Sequence, residues 1–125
     1  MQVNFYSELP IRSEPYHTQS VWAAEEIKKR TNGKFDIQVF PASSLGKETD
    51  INQGMTLGTV DILYTGQLFA GRSYGPISIG GAPFVFRDFD HWKKYSVSPV
   101  LGELADEYFK KGGSRPIAFT YYGVR

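Results

Sequence analysis

Lys34 to Phe40 reads KFDIQVF, with Phe35, Ile37 and Val39 alternating against Lys34, Asp36 and Gln38. A period of two puts the three apolar side chains on one face of an extended segment. Just upstream, Ser20, Ala23, Ala24 and Ile27 recur at i, i+3, i+4 and i+7, the period of a helix face. Only Thr31-Asn32-Gly33 stands between the charged helix end, Lys28 to Arg30, and the strand. Gly33 can take the left-handed conformation that closes a helix. So abrupt a change of period leaves little choice: a helix from about Tyr16 to Arg30 must turn directly into a strand.

The same alternation recurs along the chain. Gln2 to Ser7 sets Val3 and Phe5 against Gln2 and Asn4, a first strand. A short helix from about Glu48 to Leu57 carries Ile51 and Met55 and ends at Gly58, and Thr59 to Tyr64 reads as a third strand. Thr65 to Phe86 is poor in charge and rich in glycine, and its periodicity assigns no element. Within it Ala82 to Phe86 reads as core, with Phe84 and Phe86 on one face of an extended stretch. Asp88 to Tyr95 suggests one or two helical turns. Ser98-Pro99 starts a helix with Leu101, Leu104, Ala105 and Tyr108 in one stripe, Lys110 and Lys111 at its negative end, and Gly112-Gly113 as its stop. Arg115 to Arg125 reads as a last strand, with Tyr121 and Tyr122 on opposite faces. Strands and helices in this order predict an α/β fold, a mainly parallel sheet with flanking helices and right-handed crossovers.

Composition narrows the function. With 125 residues there is room for one domain with a sizeable core. A formal net charge of +1 and no basic block beyond Lys28 to Arg30 give no footprint for nucleic acid. No cysteine is present, which removes disulfides, thiol nucleophiles and thiolate-held metals. His17 and His91 lie far apart, without the spacing of a metal site. No apolar run is long enough to cross a membrane. Met1 precedes strand-like residues directly, with no leader pattern; a secreted protein whose leader is replaced by Met reads the same way.

Ligands of open parallel sheets bind outside the carboxyl ends of the strands. Those ends carry Ser7 and Glu8 after the first strand, and Ser43, Ser44, Gly46 and Glu48 after the second. Thr65, Gly66 and Gln67 follow the third, and Gly123 and Arg125 the last. This set contains hydroxyls, an amide, glycine backbone and one guanidinium. No catalytic triad order, paired-carboxylate motif, phosphate loop or dinucleotide fingerprint accompanies them. Each residue also has a structural alternative: Arg125 as a terminal residue, Ser43-Ser44 as a helix entry, Glu48 as a first-turn cap.

Four stretches, EEIKKRTNGKFDIQVFPASSLGKETD, LGTVDILYTG, APFVF and YYGVR, occur in this order. Together they resemble the N-terminal part of solute-binding proteins of tripartite ATP-independent periplasmic (TRAP) transporters. The resemblance spans nearly all of the chain and less than half of a family member. It implies a non-enzymatic periplasmic protein that captures a small organic acid (a dicarboxylate, sugar acid or keto acid) and hands it to a membrane permease. It implies no cofactor and no metal. Residues 1–125 would be a partial N-terminal lobe, truncated, of a two-lobe fold of the periplasmic-binding-protein type II kind. Ser7, Glu8, Ser44, Glu48, Gln67 and Arg125 would then be the ligand-binding residues. Two rivals remain at the level of sequence. One is a small α/β enzyme acting on a carboxylate, with Glu48 or His17 as acid or base. The other is an effector-sensing domain of a regulator.

Overall fold

The computed structural model describes residues 2–7, 15–40, 44, 46–121 and 123; for 2–7, 15, 16, 48 and 49 the description is of backbone alone. The chain divides into two compact units, Met1–Thr65 and Gly66–Arg125.

The first unit is built on strands β1 (Gln2–Ser7), β2 (Asp36–Phe40) and β3 (Ile62–Tyr64), with helices α1 (Pro15–Arg30) and α2 (Glu48–Leu57) between them. The sheet order is β2-β1-β3, and both pairings are parallel. In register, Phe40, Tyr6 and Leu63 lie side by side, so they share a face. Phe40 and Leu63 pack there, with Met55, on the buried pair Ile51 and Val60, which closes the sheet against α2. Ile37 and Val39 alternate to the other face, and α1 packs against β2 with Ala24 buried. The Lys28 ammonium reaches Asp36 at 3.0 Å, tying the end of α1 to the start of β2.

The turn between α1 and β2 follows the sequence reading. Gly33 is left-handed at φ 76°, and its N–H donates to the Lys28 carbonyl at 2.8 Å. Gly58, also at φ 76°, ends α2. One detail differs: Phe35 lies outside β2 and is exposed. The third strand is also shorter than Thr59 to Tyr64: Thr59 and Val60 donate their N–H groups to the Gly54 carbonyl, which holds them in the exit turn of α2.

The second unit begins with a short helix α3 (Gln67–Ala70) and a 3-10 helix over Gly75–Gly81, the glycine-rich region that periodicity left unassigned. These two pack closely because glycines line their contact. A methyl group on Gly71 would lie 2.7 Å from Ser78 Cβ, and one on Gly81 would lie 2.9 Å from Leu68 Cγ. Ile77, 1% exposed, is the most buried large side chain here, and Ala70 and Leu101 are buried with it. Helix α4 (Phe89–Ser96) is capped by Asp88, whose carboxylate accepts the His91 N–H at 2.7 Å. Helix α5 (Pro99–Gly112) has the cap and stop foreseen: the Ser98 hydroxyl accepts the Leu101 N–H, Pro99 opens the first turn, and Gly113 closes it at φ 72°.

Two expectations are overturned in this unit. Phe84 and Phe86 do not share a face of an extended core segment. Phe84 is left-handed at φ 60° and 87% exposed, whereas Phe86 is half-buried with its ring centroid 5.0 Å from that of Tyr95. A turn at Pro83-Phe84 breaks the alternation. The last strand is also missing: the described residues from Ser114 to Tyr121 have no regular secondary structure. Ile117, an apolar position of the expected strand, is 84% exposed. Side chains hold this stretch instead, through Arg115 on α5 and Tyr121 on α4.

Candidate functional site

The carboxyl edge of the sheet collects the ends of three parallel strands: Ser7 of β1, Phe40 of β2 and Tyr64 of β3. Ser7 stands opposite Tyr64 in register. From β1 the chain crosses to β2 on one side; from β2 it crosses to β3 on the other. The crevice between β1 and β3 is therefore the topological switch point at which open α/β sheets take ligands. Ser7 and Tyr64 flank it, and Thr65 follows directly. Tyr64 was absent from the candidates drawn from the sequence, because as a strand residue it reads as sheet; only the pairing register singles it out.

After β2 the chain passes Ser44, which is exposed, and Gly46, whose φ of 126° favours glycine. Lys47, in extended conformation, is the N-cap of α2 and contributes no side-chain cap; Glu48 is the first helical residue. Ser44 and the start of α2 thus follow the carboxyl end of β2, on the sheet edge that also holds Ser7. Glu8 and Arg125 lie outside the described residues, and for Ser7 and Glu48 only the backbone is described.

Gln67 belongs to the second unit. It opens α3 just beyond Gly66, half-buried, and its Oε1 is buried without a hydrogen-bond partner. Gly80 lies against the same carboxamide, where a methyl would clash with it. Gln67 is thus a fixed amide with an unused acceptor. His17 Nδ1 is buried without a partner, and His91 Nδ1 accepts the Arg87 N–H at 3.4 Å. Among the described residues no three His, Asp or Glu side chains could hold a metal ion together.

Sequence reasoning also missed an aromatic group in the second unit. Phe89 and Trp92 stack at 5.8 Å, and Tyr121 meets both, at 5.1 Å and 5.4 Å between ring centroids. The i, i+3 spacing of Phe89 and Trp92 on a helix was the available signal.

Residues 6–125 match the family model for bacterial extracellular solute-binding proteins, family 7, also called DctP. The chain belongs to this family. Among its relatives is a solute-binding protein of Roseobacter denitrificans, 32% identical over 111 residues, which cover 88% of this chain and 34% of the relative. A solved structure of a TRAP periplasmic solute-binding protein from the same organism, with bound L-galactonate, superimposes with a TM-score of 0.86 at 27% identity. It covers 94% of this chain and 39% of that one. A second, from a Polaromonas species and bound to D-erythronate, gives a TM-score of 0.76 at 25% identity, covering 90% and 37%. The chain therefore spans about a third of the length of the curated relatives that it matches. The family match supports the α/β lobe foreseen from the sequence. No helix among the described residues is long and apolar enough to cross a membrane.

Proposed function

We propose that residues 1–125 form part of the N-terminal lobe of the solute-binding component of a TRAP transporter. The lobe is of the periplasmic-binding-protein type II kind, and the protein captures a small organic acid in the periplasm for a membrane permease. The observation that carries this reading is the family match over residues 6–125. Sugar acids are the favoured ligand class, because the structural relative from Roseobacter denitrificans holds L-galactonate and that from Polaromonas holds D-erythronate. On this reading the protein is a carrier and catalyses nothing.

Arg125 is the residue to take the carboxylate, through the planar fork of its guanidinium. Ser7, Glu8, Ser44, Glu48 and Gln67 serve the hydroxyl groups, which need both donors and acceptors. Gln67 has support from its partnerless buried Oε1. Ser7 and Ser44 have support from the carboxyl edge of the sheet, where open α/β folds take their ligands.

Calorimetric titration with L-galactonate and D-erythronate tests the reading. One lobe cannot by itself bury a ligand from water, so the 125-residue chain alone is expected to bind no tighter than roughly millimolar. The protein expressed from its complete reading frame should bind one of the acids if that frame supplies a second lobe. There Arg125→Lys should weaken binding at least about tenfold although charge is kept, since one charge-assisted hydrogen bond is lost. Turnover of an acid, or equal affinity in Arg125, Arg125→Lys and Arg125→Ala, would overturn the assignment.

A further inference from the structure

Asp88 and His91 cap the start of α4 reciprocally. The Asp88 carboxylate accepts the His91 N–H at 2.7 Å, and His91 Nδ1 accepts the Arg87 N–H at 3.4 Å. This is the exchange of a capping box, in which the third helical residue is ordinarily a glutamate or glutamine. Here it is a histidine, and the donor that it takes lies one residue before the cap.

Arg87 ends a strained stretch. Just upstream is the turn at Pro83-Phe84, where Phe84 is left-handed at φ 60° and 87% exposed. A bulky residue stays in that region only while its surroundings hold it there. On the α4 side the hold comes from His91. Phe86 lies against its ring, with centroids 5.6 Å apart and planes at 81°, and against Tyr95 one turn on. The Arg87 N–H is tied to the same imidazole. One side chain thus grips both residues at the end of the turn.

An imidazole accepts through Nδ1 only while that nitrogen carries no proton, so the neutral ring here keeps its proton on Nε2. Protonation makes both nitrogens donors, and Nδ1–H would then face the Arg87 N–H. The cation would also stand in the first turn of α4, at the positive end of its dipole. On its own helix the charged neighbours are Asp88, Asp90, Lys93 and Lys94, and Tyr95 meets it through Phe86. Tyr121 packs on the Phe89 and Trp92 rings. On α5, which packs against α4, Glu107 pairs with Lys110 and Asp106 with Arg115; among the described residues neither pair includes His91.

We propose that His91 is a proton-operated clip on the turn of residues 83–87: neutral, it fixes the turn; protonated, it releases Arg87 and Phe84 relaxes. Histidine is the side chain that changes charge between about pH 5 and pH 8, so mild acid is the signal. The device lies within the second unit and does not depend on the ligand assigned above.

Nuclear magnetic resonance on the ¹⁵N,¹³C-labelled protein from its complete reading frame tests it, at about pH 8 and about pH 5.5, above the ordinary carboxylate range. Exchange of the Arg87 amide, taken relative to an unstructured peptide at the same pH, should be about fivefold faster at the lower pH. The Phe84 backbone carbon shifts should move from left-handed toward extended values over the same interval. His91→Asn places a carbonyl oxygen where Nδ1 stands and does not titrate, so both signals should stay at their neutral-pH values throughout. His91→Leu, which has no acceptor, should show the released turn already at pH 8. The same pH response in His91→Asn would assign it to another group and overturn the inference. So would Arg87 exchange that is independent of pH in the unaltered protein, or Phe84 shifts that do not move.

Discussion

Arg115 lies over Phe109, its guanidinium carbon 4.2 Å from the ring centroid. The same guanidinium stands 3.6 Å from Asp106 Oδ1, and both charged side chains are more than half exposed. In water the ring contact outweighs the ion pair, because exposed pairs are screened by solvent. Arg115→Ala should therefore lower stability by about 1 kcal/mol, and Asp106→Asn by no more than about 0.5 kcal/mol. Urea unfolding followed by Trp92 fluorescence measures both. A larger loss for Asp106→Asn would reverse the order of the two contacts.

Two glycines of the second unit should respond oppositely to the same change. Gly71→Ala drives a methyl to 2.7 Å from Ser78 Cβ and 3.2 Å from the Leu68 carbonyl oxygen, so α3 and the 3-10 helix must part. The expected cost is about 1–3 kcal/mol. Gly102, on the exposed side of α5, has nothing within 4 Å of an added methyl. Gly102→Ala should stabilise by about 0.5–1 kcal/mol through the better helix propensity of alanine. Thermal melts of the two variants should move in opposite directions.

Alkaline pH should loosen the second unit. Burial raises the phenols of Tyr95 and Tyr108 above their ordinary value of 10.0. Their contribution to stability is complete below about pH 10, where both states keep the proton. It is lost as pH climbs from there through the raised folded values, because the unfolded chain ionises first. Tyr95 gives a clean test, since its hydroxyl is buried without a partner. Tyr95→Phe should leave neutral-pH stability unchanged or slightly higher and make the alkaline decline shallower. Denaturant midpoints measured from pH 8 to pH 11.5 would expose an unchanged slope.

Gln67 separates a stability role from a binding role. Its buried Oε1 has no partner, so Gln67→Met, similar in volume, removes a desolvated acceptor at little steric cost. Stability should hold or rise by up to about 1 kcal/mol. Affinity of the protein from its complete reading frame for L-galactonate should fall about tenfold if that oxygen serves a ligand hydroxyl. A stability loss above 1 kcal/mol with intact affinity would make Gln67 a packing residue.

Local chemistry made several elements of both units readable. Ile37 and Val39, the Gly33 and Gly58 stops, and the Ser98-Pro99 start of α5 all rest on neighbours a few residues away, and each was found where the sequence put it. The stretch from Ser114 failed as a strand because strand character depends on a ladder partner, and no local rule supplies one. Phe84 failed because alternation reads side-chain polarity, whereas a left-handed φ at a bulky residue is set by the surrounding turn. The candidate site was legible through two routes of different reach. Strand ends follow from alternation and gave Ser7, Glu8, Ser44, Glu48, Gln67 and Arg125 as candidates. The family resemblance added the ligand class, and the ring group of Phe89, Trp92 and Tyr121 became visible only when α4 and Tyr121 were seen together.

β1 comes before β2 and β3 in the chain and is the only one of the three with a neighbour on each side. Its pairings join Val3 to Ile37 and Phe5 to Ile62, so each must wait for a distant stretch of chain to be made. Until Tyr64 has emerged, the central strand carries an open edge, and the loops to be closed are long. A chain halted inside α2 would hold β1 and β2 with no β3, exposing that edge to pairing with another molecule. A sheet whose central strand waits for Tyr64 before its second edge is covered stays threadable for longer than a hairpin would.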